Sequence, residues 1–162
     1  AGLSLFNMQA SLRTFRGLPH RCELIAEIDG VRFVNDSKGT NIGATEAALS
    51  GVGGEHDILL IAGGQGKGAD FSQLQEAVSR HCKLLILMGE DAPLLQEALS
   101  SCVAVLRVSS LDEAINVAAM KAEAGDVVLL SPACASFDMF SGYVQRGEAF
   151  CARVNALTGG LK

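Results

Sequence analysis

No run of the chain is long and apolar enough for a membrane helix: the longest, such as Ile58 to Ala62 and Leu84 to Met88, are strand-length, against the roughly 18 to 20 residues a span needs. Membrane insertion is therefore not expected. Nor is there a block of Lys and Arg. With 13 Lys+Arg against 18 Asp+Glu the net charge is −5, which argues against a nucleic-acid or anionic-membrane surface. A small basic pocket within an acidic whole is left open, and with it anionic small substrates. The five cysteines (Cys22, Cys82, Cys102, Cys134, Cys151) are odd in number and widely spread, with no C-x-x-C and no histidine at ligand spacing. Neither a disulfide framework nor a metal site is expected, and reduced thiols fit a cytoplasmic setting. The N-terminus has none of a signal peptide's parts, and it begins Ala-Gly rather than Met, which reads as an excised or processed piece. No carboxylate pair and no triad order presents itself, so hydrolase chemistry has little support. What is plentiful is apolar: hydrophobic residues make up 49% of 162, which excludes disorder. A chain of this length buries roughly 70% of its unfolded surface and needs no staples, so one compact soluble domain is expected.

Cys22 to Ile28 and Val31 to Asn35 are β-type runs joined by Asp29-Gly30, the signature of a two-residue hairpin. Beyond it, short apolar runs (Ile58 to Ala62, Lys83 to Met88, Val103 to Val108, Val127 to Leu130) alternate with helix-period segments at roughly 41–51, 71–81, 92–100, 111–124 and 138–157. Asp70 before Phe71 reads as a cap, and Ser110 three residues before Glu113 as a capping box. Alternation of this kind predicts right-handed βαβ crossovers. The expected fold is α/β: a Rossmann-like, doubly wound, mostly parallel six-stranded sheet, with one antiparallel strand from the hairpin. Residues 1–18 stand outside the scheme and read as a linker from a preceding domain, with the domain proper over 19–162.

In such a sheet, ligands bind beyond the carboxyl ends of the strands. Three loops there are rich in polar and small residues. Asn35-Asp36-Ser37-Lys38-Gly39-Thr40-Asn41 is either a turn with an Asn or Thr helix cap, or an anion site of Lys38, Thr40 and backbone N–H groups. Gly63-Gly64-Gln65-Gly66-Lys67-Gly68-Ala69-Asp70 approaches Walker A but has Ile61 at the first glycine position and Gly68 where the hydroxyl belongs. It does match the looser dinucleotide form through Gly64, Gly66 and Ala69, with Glu90 as a ribose acid. Either way its glycines let backbone approach a ligand closely, and Lys67 suits a carboxylate or phosphate. Ser131-Pro132-Ala133-Cys134-Ala135-Ser136-Phe137-Asp138 permits close approach too, although Ser136 and Asp138 could simply cap the last helix. Cys134 reads as a small buried residue rather than a nucleophile. His20-Arg21, just before the hairpin, is the fourth candidate.

Taken together, Gly17-Leu-Pro-His-Arg21, Asn35 to Asn41, Gly63 to Lys67 with Ala69-Asp-Phe71, Leu130 to Ser136 and Gln145-Arg-Gly147 resemble the C-terminal domain of a Mur ligase, in the branch that adds D-glutamate. The resemblance implies three domains: a first for the UDP-sugar, a central one with the P-loop, and this third, which closes over the site. It implies that ATP with Mg phosphorylates the terminal carboxylate of UDP-N-acetylmuramoyl-L-alanine, and that the amine of D-glutamate attacks the acyl phosphate. Mg ligands would belong to the central domain, with none in this chain. Carried over by residue, Arg21 and Asp36 contact the nucleotide, Asp36 toward the ribose, and Lys38 sits near the transferring phosphate. Thr40 and Lys67 hold one carboxylate of D-glutamate; Ser136, the Phe137 backbone and the region of Tyr143 hold the other. A bacterial, cytoplasmic location and no turnover from this piece alone follow. Two other readings stay open: a small NAD(P)-binding module, and an anion-binding or docking domain.

Overall fold

A computed structural model describes residues 17–159; of the expected linker only Gly17 and Leu18 fall within it, the rest lying outside the described residues. Among the described residues the first two strands, β1 (Glu23–Ile28) and β2 (Val31–Asn35), pair antiparallel as predicted. Asp29 and Gly30 both take left-handed φ, 50° and 79°, the conformation that a two-residue turn demands of each central residue. There follow α1 (Ile42–Val52), β3 (Ile58–Gly63), a 3-10 turn (Phe71–Leu74) leading into α2 (Gln75–His81), β4 (Cys82–Met88), α3 (Ala92–Leu99), β5 (Val105–Arg107), α4 (Leu111–Lys121), β6 (Val127–Leu130) and α5 (Tyr143–Gly159).

The six strands form one sheet in the order β1-β2-β6-β3-β4-β5, parallel except for the β1–β2 pair. The runs of the inner strands β3, β4 and β6 are apolar without alternation because both faces are covered. On one face Ala48 and Leu49 of α1, Val78 of α2, and Leu95 and Leu99 of α3 pack on Leu60, Leu85 and Leu129. On the other, Leu111 and Ile115 of α4 and Phe150 and Val154 of α5 pack on Leu59, Ile61, Ile86 and Val128. No helix among the described residues is long and apolar enough to cross a membrane.

The element boundaries shift where side chains are used differently from the expectation. The last helix begins at Tyr143, not near 138: Ser136 and Asp138 do not cap it. The carbonyl of Ser136 accepts from Met139 and Phe140 N–H (3.2 and 2.8 Å), closing a turn before the helix, and Asp138 Oδ2 accepts from Glu90 N–H across the sheet at 2.9 Å. The capping box before α4 is split. Ser110 Oγ accepts from Glu113 N–H at 3.2 Å, but the Glu113 carboxylate reaches back to Ser109 N–H, 2.8 Å, rather than to Ser110. The fifth strand is only Val105–Arg107, shorter than the expected Val103 to Val108.

What matters for a site is that β6 lies between β2 and β3. The loops leaving these three adjacent strands are the three polar segments picked out in the sequence, and the sheet sets them side by side at one carboxyl end.

Candidate functional site

The first loop leaves β2 through Asn35, whose Oδ1 accepts from Ser37 N–H at 3.0 Å and turns the chain. Asp36 next to it is buried, and both of its carboxylate oxygens are engaged: Oδ1 accepts from Cys22 N–H at 3.2 Å, Oδ2 from Ser131 Oγ at 2.7 Å. Burial pushes the Asp36 carboxyl above the usual carboxylate range, against the opposing pull of those hydrogen bonds and of Arg21. Gly39 has no room for a side chain, because a Cβ there would strike Asp36 Oδ2 and lie 2.6 Å from Ser131 Oγ. Lys38 N–H donates to His20 carbonyl at 3.1 Å. With Cys22 tied to Asp36, Arg21 is pinned on both sides by this loop, between two residues held at left-handed φ, His20 at 61° and Cys22 at 43°. Asn41, as predicted, caps α1, accepting from Ala44 N–H at 3.0 Å.

The glycine-rich loop leaves β3 with Gly63 and Gly64 at φ 122° and 126°. Their permissive backbone serves packing: a Cβ on Gly64 would collide with the carbonyl of Ala135. Gln65 and Ala135 exchange both backbone hydrogen bonds at 2.9 Å, and Gly63 N–H donates to Pro132 carbonyl at 2.9 Å. The close approach that a dinucleotide pyrophosphate would need at Gly64 is thus taken by the third loop. Glu90 is likewise occupied, accepting from Gln65 Nε2 at 2.9 Å. Lys67 stands at the exposed tip with φ 54°.

The third loop, after β6, is buried from Ser131 to Ser136 and bonds both of the others. Besides the Gln65 and Gly63 contacts, Ala133 N–H donates to Gly39 carbonyl at 2.9 Å. Cys134 is fully buried and burial pushes its thiol up to about 12, so it stays protonated and is no nucleophile. Cys22, raised to about 11 by burial and Asp36, is no more reactive.

Between the loops lies a cleft of about 500 Å³ lined by Arg21, Lys38, Thr40, Asn41, Ala44, Lys67, Ala135, Ser136, Phe137 and Tyr143. Three cations face it and no acidic side chain does, in a chain of net charge −5. Lys38 Nζ sits 4.1 Å from the centre of the Tyr143 ring and Lys67 Nζ 5.9 Å from that of Phe137, so each lysine rests on an aromatic face from the third loop or the start of α5. Of the predicted site residues Arg21, Lys38, Thr40, Lys67, Ser136, Phe137 and Tyr143 come together here. Asp36 does not line the cleft and lies beneath the first loop. No group of three His, Cys, Asp or Glu that could hold a metal ion exists among the described residues.

Arg146 enters the sequence reading only as part of Gln145-Arg-Gly147 and is given no role at the site. It is 1% exposed on α5, where its Nε donates to Ser37 Oγ at 3.1 Å and its Nη2 to the carbonyls of Ser37 and Cys134 at 3.0 and 3.2 Å. A signal existed: Arg146, Phe150 and Val154 recur every four residues, which puts an arginine on the helix's apolar stripe.

The family model for the Mur ligase glutamate ligase domain matches residues 20–134. The UDP-N-acetylmuramoylalanine–D-glutamate ligase of Polaromonas sp. (strain JS666 / ATCC BAA-500) is 53% identical over 97% of this chain and 27% of its own length. The enzyme of the same name from Legionella pneumophila (strain Lens) is 52% identical over 97% of this chain and 36% of its own length. The chain therefore spans 27% to 36% of these curated relatives. Among solved structures, the bifunctional folylpolyglutamate synthase/dihydrofolate synthase of Yersinia pestis CO92 superposes with a TM-score of 0.68 at 17% identity, over 94% of this chain and 35% of that one. The same enzyme complexed with AMPPNP and a Mn ion gives a TM-score of 0.63 at 18% identity, with the same coverage.

Proposed function

The chain belongs to the Mur ligase family, whose glutamate ligase domain it matches over most of its length, and from that premise we propose that it is the C-terminal part of an ATP-dependent ligase joining D-glutamate to UDP-N-acetylmuramoyl-L-alanine. The observation that carries this reading is the cleft, where Arg21, Lys38 and Lys67 converge with no acidic side chain among them. D-Glutamate offers two carboxylates, and a dicarboxylate is held best by two separated groups of cations and N–H donors. Lys67 with Thr40 supplies one; Ser136 with the backbone at Phe137 and the region of Tyr143 supplies the other. Lys38, resting on Tyr143, is free to move toward a transferring phosphate and to stabilise charge as the tetrahedral adduct forms and collapses. Arg21 faces the nucleotide. Asp36, its carboxylate taken up by Cys22 and Ser131, serves the nucleotide side indirectly, by fixing the segment before β1 that carries Arg21 and the loop that carries Lys38.

Nucleotide phosphates suit this cation set, and on the family resemblance the Mg that accompanies ATP is held by the central domain of the full ligase, outside this chain. The UDP-sugar and the P-loop belong there too, and the setting is the bacterial cytoplasm. The test is phosphate release by the full-length protein. It should require ATP, UDP-N-acetylmuramoyl-L-alanine and D-glutamate together, and Lys67→Ala should raise the KM for D-glutamate by about ten-fold or more. Micromolar NAD(H) binding with no response to ATP or D-glutamate would overturn the proposal in favour of a dinucleotide module.

A further inference from the structure

Arg146 is a buried cation that makes no salt bridge among the described residues, the Asp138 carboxylate favouring its charge without contacting it. The ion pairs among the described residues are those of Lys83 with Glu123 and Asp126, and every partner of the Arg146 guanidinium is a neutral oxygen. Burial lowers its affinity for the proton, to a pKa of about 10, yet it remains charged at neutral pH. Buried arginines are ordinarily paired with carboxylates, and a hydrophobic residue would fill this position of the α5 stripe at lower cost. What the guanidinium does that a hydrophobic residue cannot is to bond two loops at once. Ser37 immediately precedes Lys38, Cys134 lies two residues before Ser136, and one planar fork spans both. Ser37 Oγ passes the constraint on, donating to the carbonyl of Tyr143 at 2.8 Å. The nucleotide side is held separately, through Asp36, Ser131 and Cys22, none of whose groups bonds Arg146 through a side chain.

We propose that Arg146 is a positioning residue that sets the distance between the Lys38–Thr40 loop and the Ser136–Phe137 loop, and thereby the length of dicarboxylic amino acid the cleft accepts, without touching that ligand. The proposal rests on the ligase reading above. At 1% exposure the side chain acts only through the loops it holds.

The experiment uses the full-length ligase with Arg146→Lys, which keeps the charge but not the fork, and Arg146→Met, which removes both. Steady-state kinetics are measured with D-glutamate and with its one-carbon-longer and one-carbon-shorter homologues. For Arg146→Lys the KM for D-glutamate should rise about ten-fold while the KM for ATP stays within about two-fold, and discrimination between D-glutamate and the longer homologue should shrink by about the same ten-fold. Arg146→Met should move the same quantities further or fail to fold, the Lys variant then deciding. A residue needed only for folding would lower the active fraction, and so kcat, leaving both KM values and the chain-length preference unchanged; that result overturns the proposal, as does an equal rise in both KM values. A wild-type protein that forms no amide from D-glutamate overturns the ligase reading and this one with it, an outcome visible before any variant is made.

Discussion

Asp36 carries two demands that pull against each other. Its carboxylate organises the base of the site by accepting from Cys22 N–H and Ser131 Oγ, yet its burial disfavours the charge that makes it a good acceptor. Unfolded, it titrates at its ordinary value of 3.8; folded, it titrates higher. Between those two values the folded state holds the proton that the unfolded state has already released, so stability falls as pH rises through that window. Asp36→Asn removes the slope. The stability of the wild-type chain relative to this variant, from urea melts at a series of pH values, should be greatest below pH 3.8 and should decline toward neutrality. Parallel curves would refute the assignment. The polar composition of the loop was legible in sequence, and so was Asn41 as a cap, because capping is a local interaction between residues three apart. That Asp36 points down to Ser131, 95 residues away, and not into the cleft, was not.

The elements were read most reliably where local chemistry alone sets them. Asp29-Gly30 fixed the hairpin, and the apolar run Val127 to Leu130 coincides with β6. The start of α5 was missed because its expected cap, Asp138, is drawn to Glu90 N–H by a contact that only the folded sheet creates. The α4 start shows the intermediate case, with Ser110 capping as expected and Glu113 reaching one residue further than a capping box requires. Ser110→Ala should therefore cost about 1 kcal/mol by leaving Glu113 N–H uncapped, which in a domain of this size lowers the melting midpoint by about 2–4 °C. Far-UV circular dichroism of both chains on heating measures it. Because the lost bond is confined to the first turn of α4, while the cleft residues are carried by the three loops, the segment before β1 and the starts of α1 and α5, those residues should be unaffected.

At the scale of the molecule, the cleft in this chain is one-sided: it is open, with Lys67 and Phe137 exposed at its rim. A ligand bound here must surrender its translational freedom in exchange for contacts from a single wall, and those contacts are few. The 162-residue chain alone should accordingly bind ATP and D-glutamate only weakly, with no turnover, and amide shifts on NMR titration should remain unsaturated at millimolar ligand. Saturation at micromolar ligand would show that the domain is sufficient by itself. By itself the sequence determined the class of fold, the hairpin, the three polar loops and the cations they carry, because periodicity, turn residues and glycine content act over a few neighbouring positions. Only the tertiary structure decided that β6 runs between β2 and β3, since strand order depends on packing between segments far apart in the chain. That insertion brings residues near 38, 67 and 136 to one cleft, turns Asp36 inward, and gives the buried Arg146 two loops to hold.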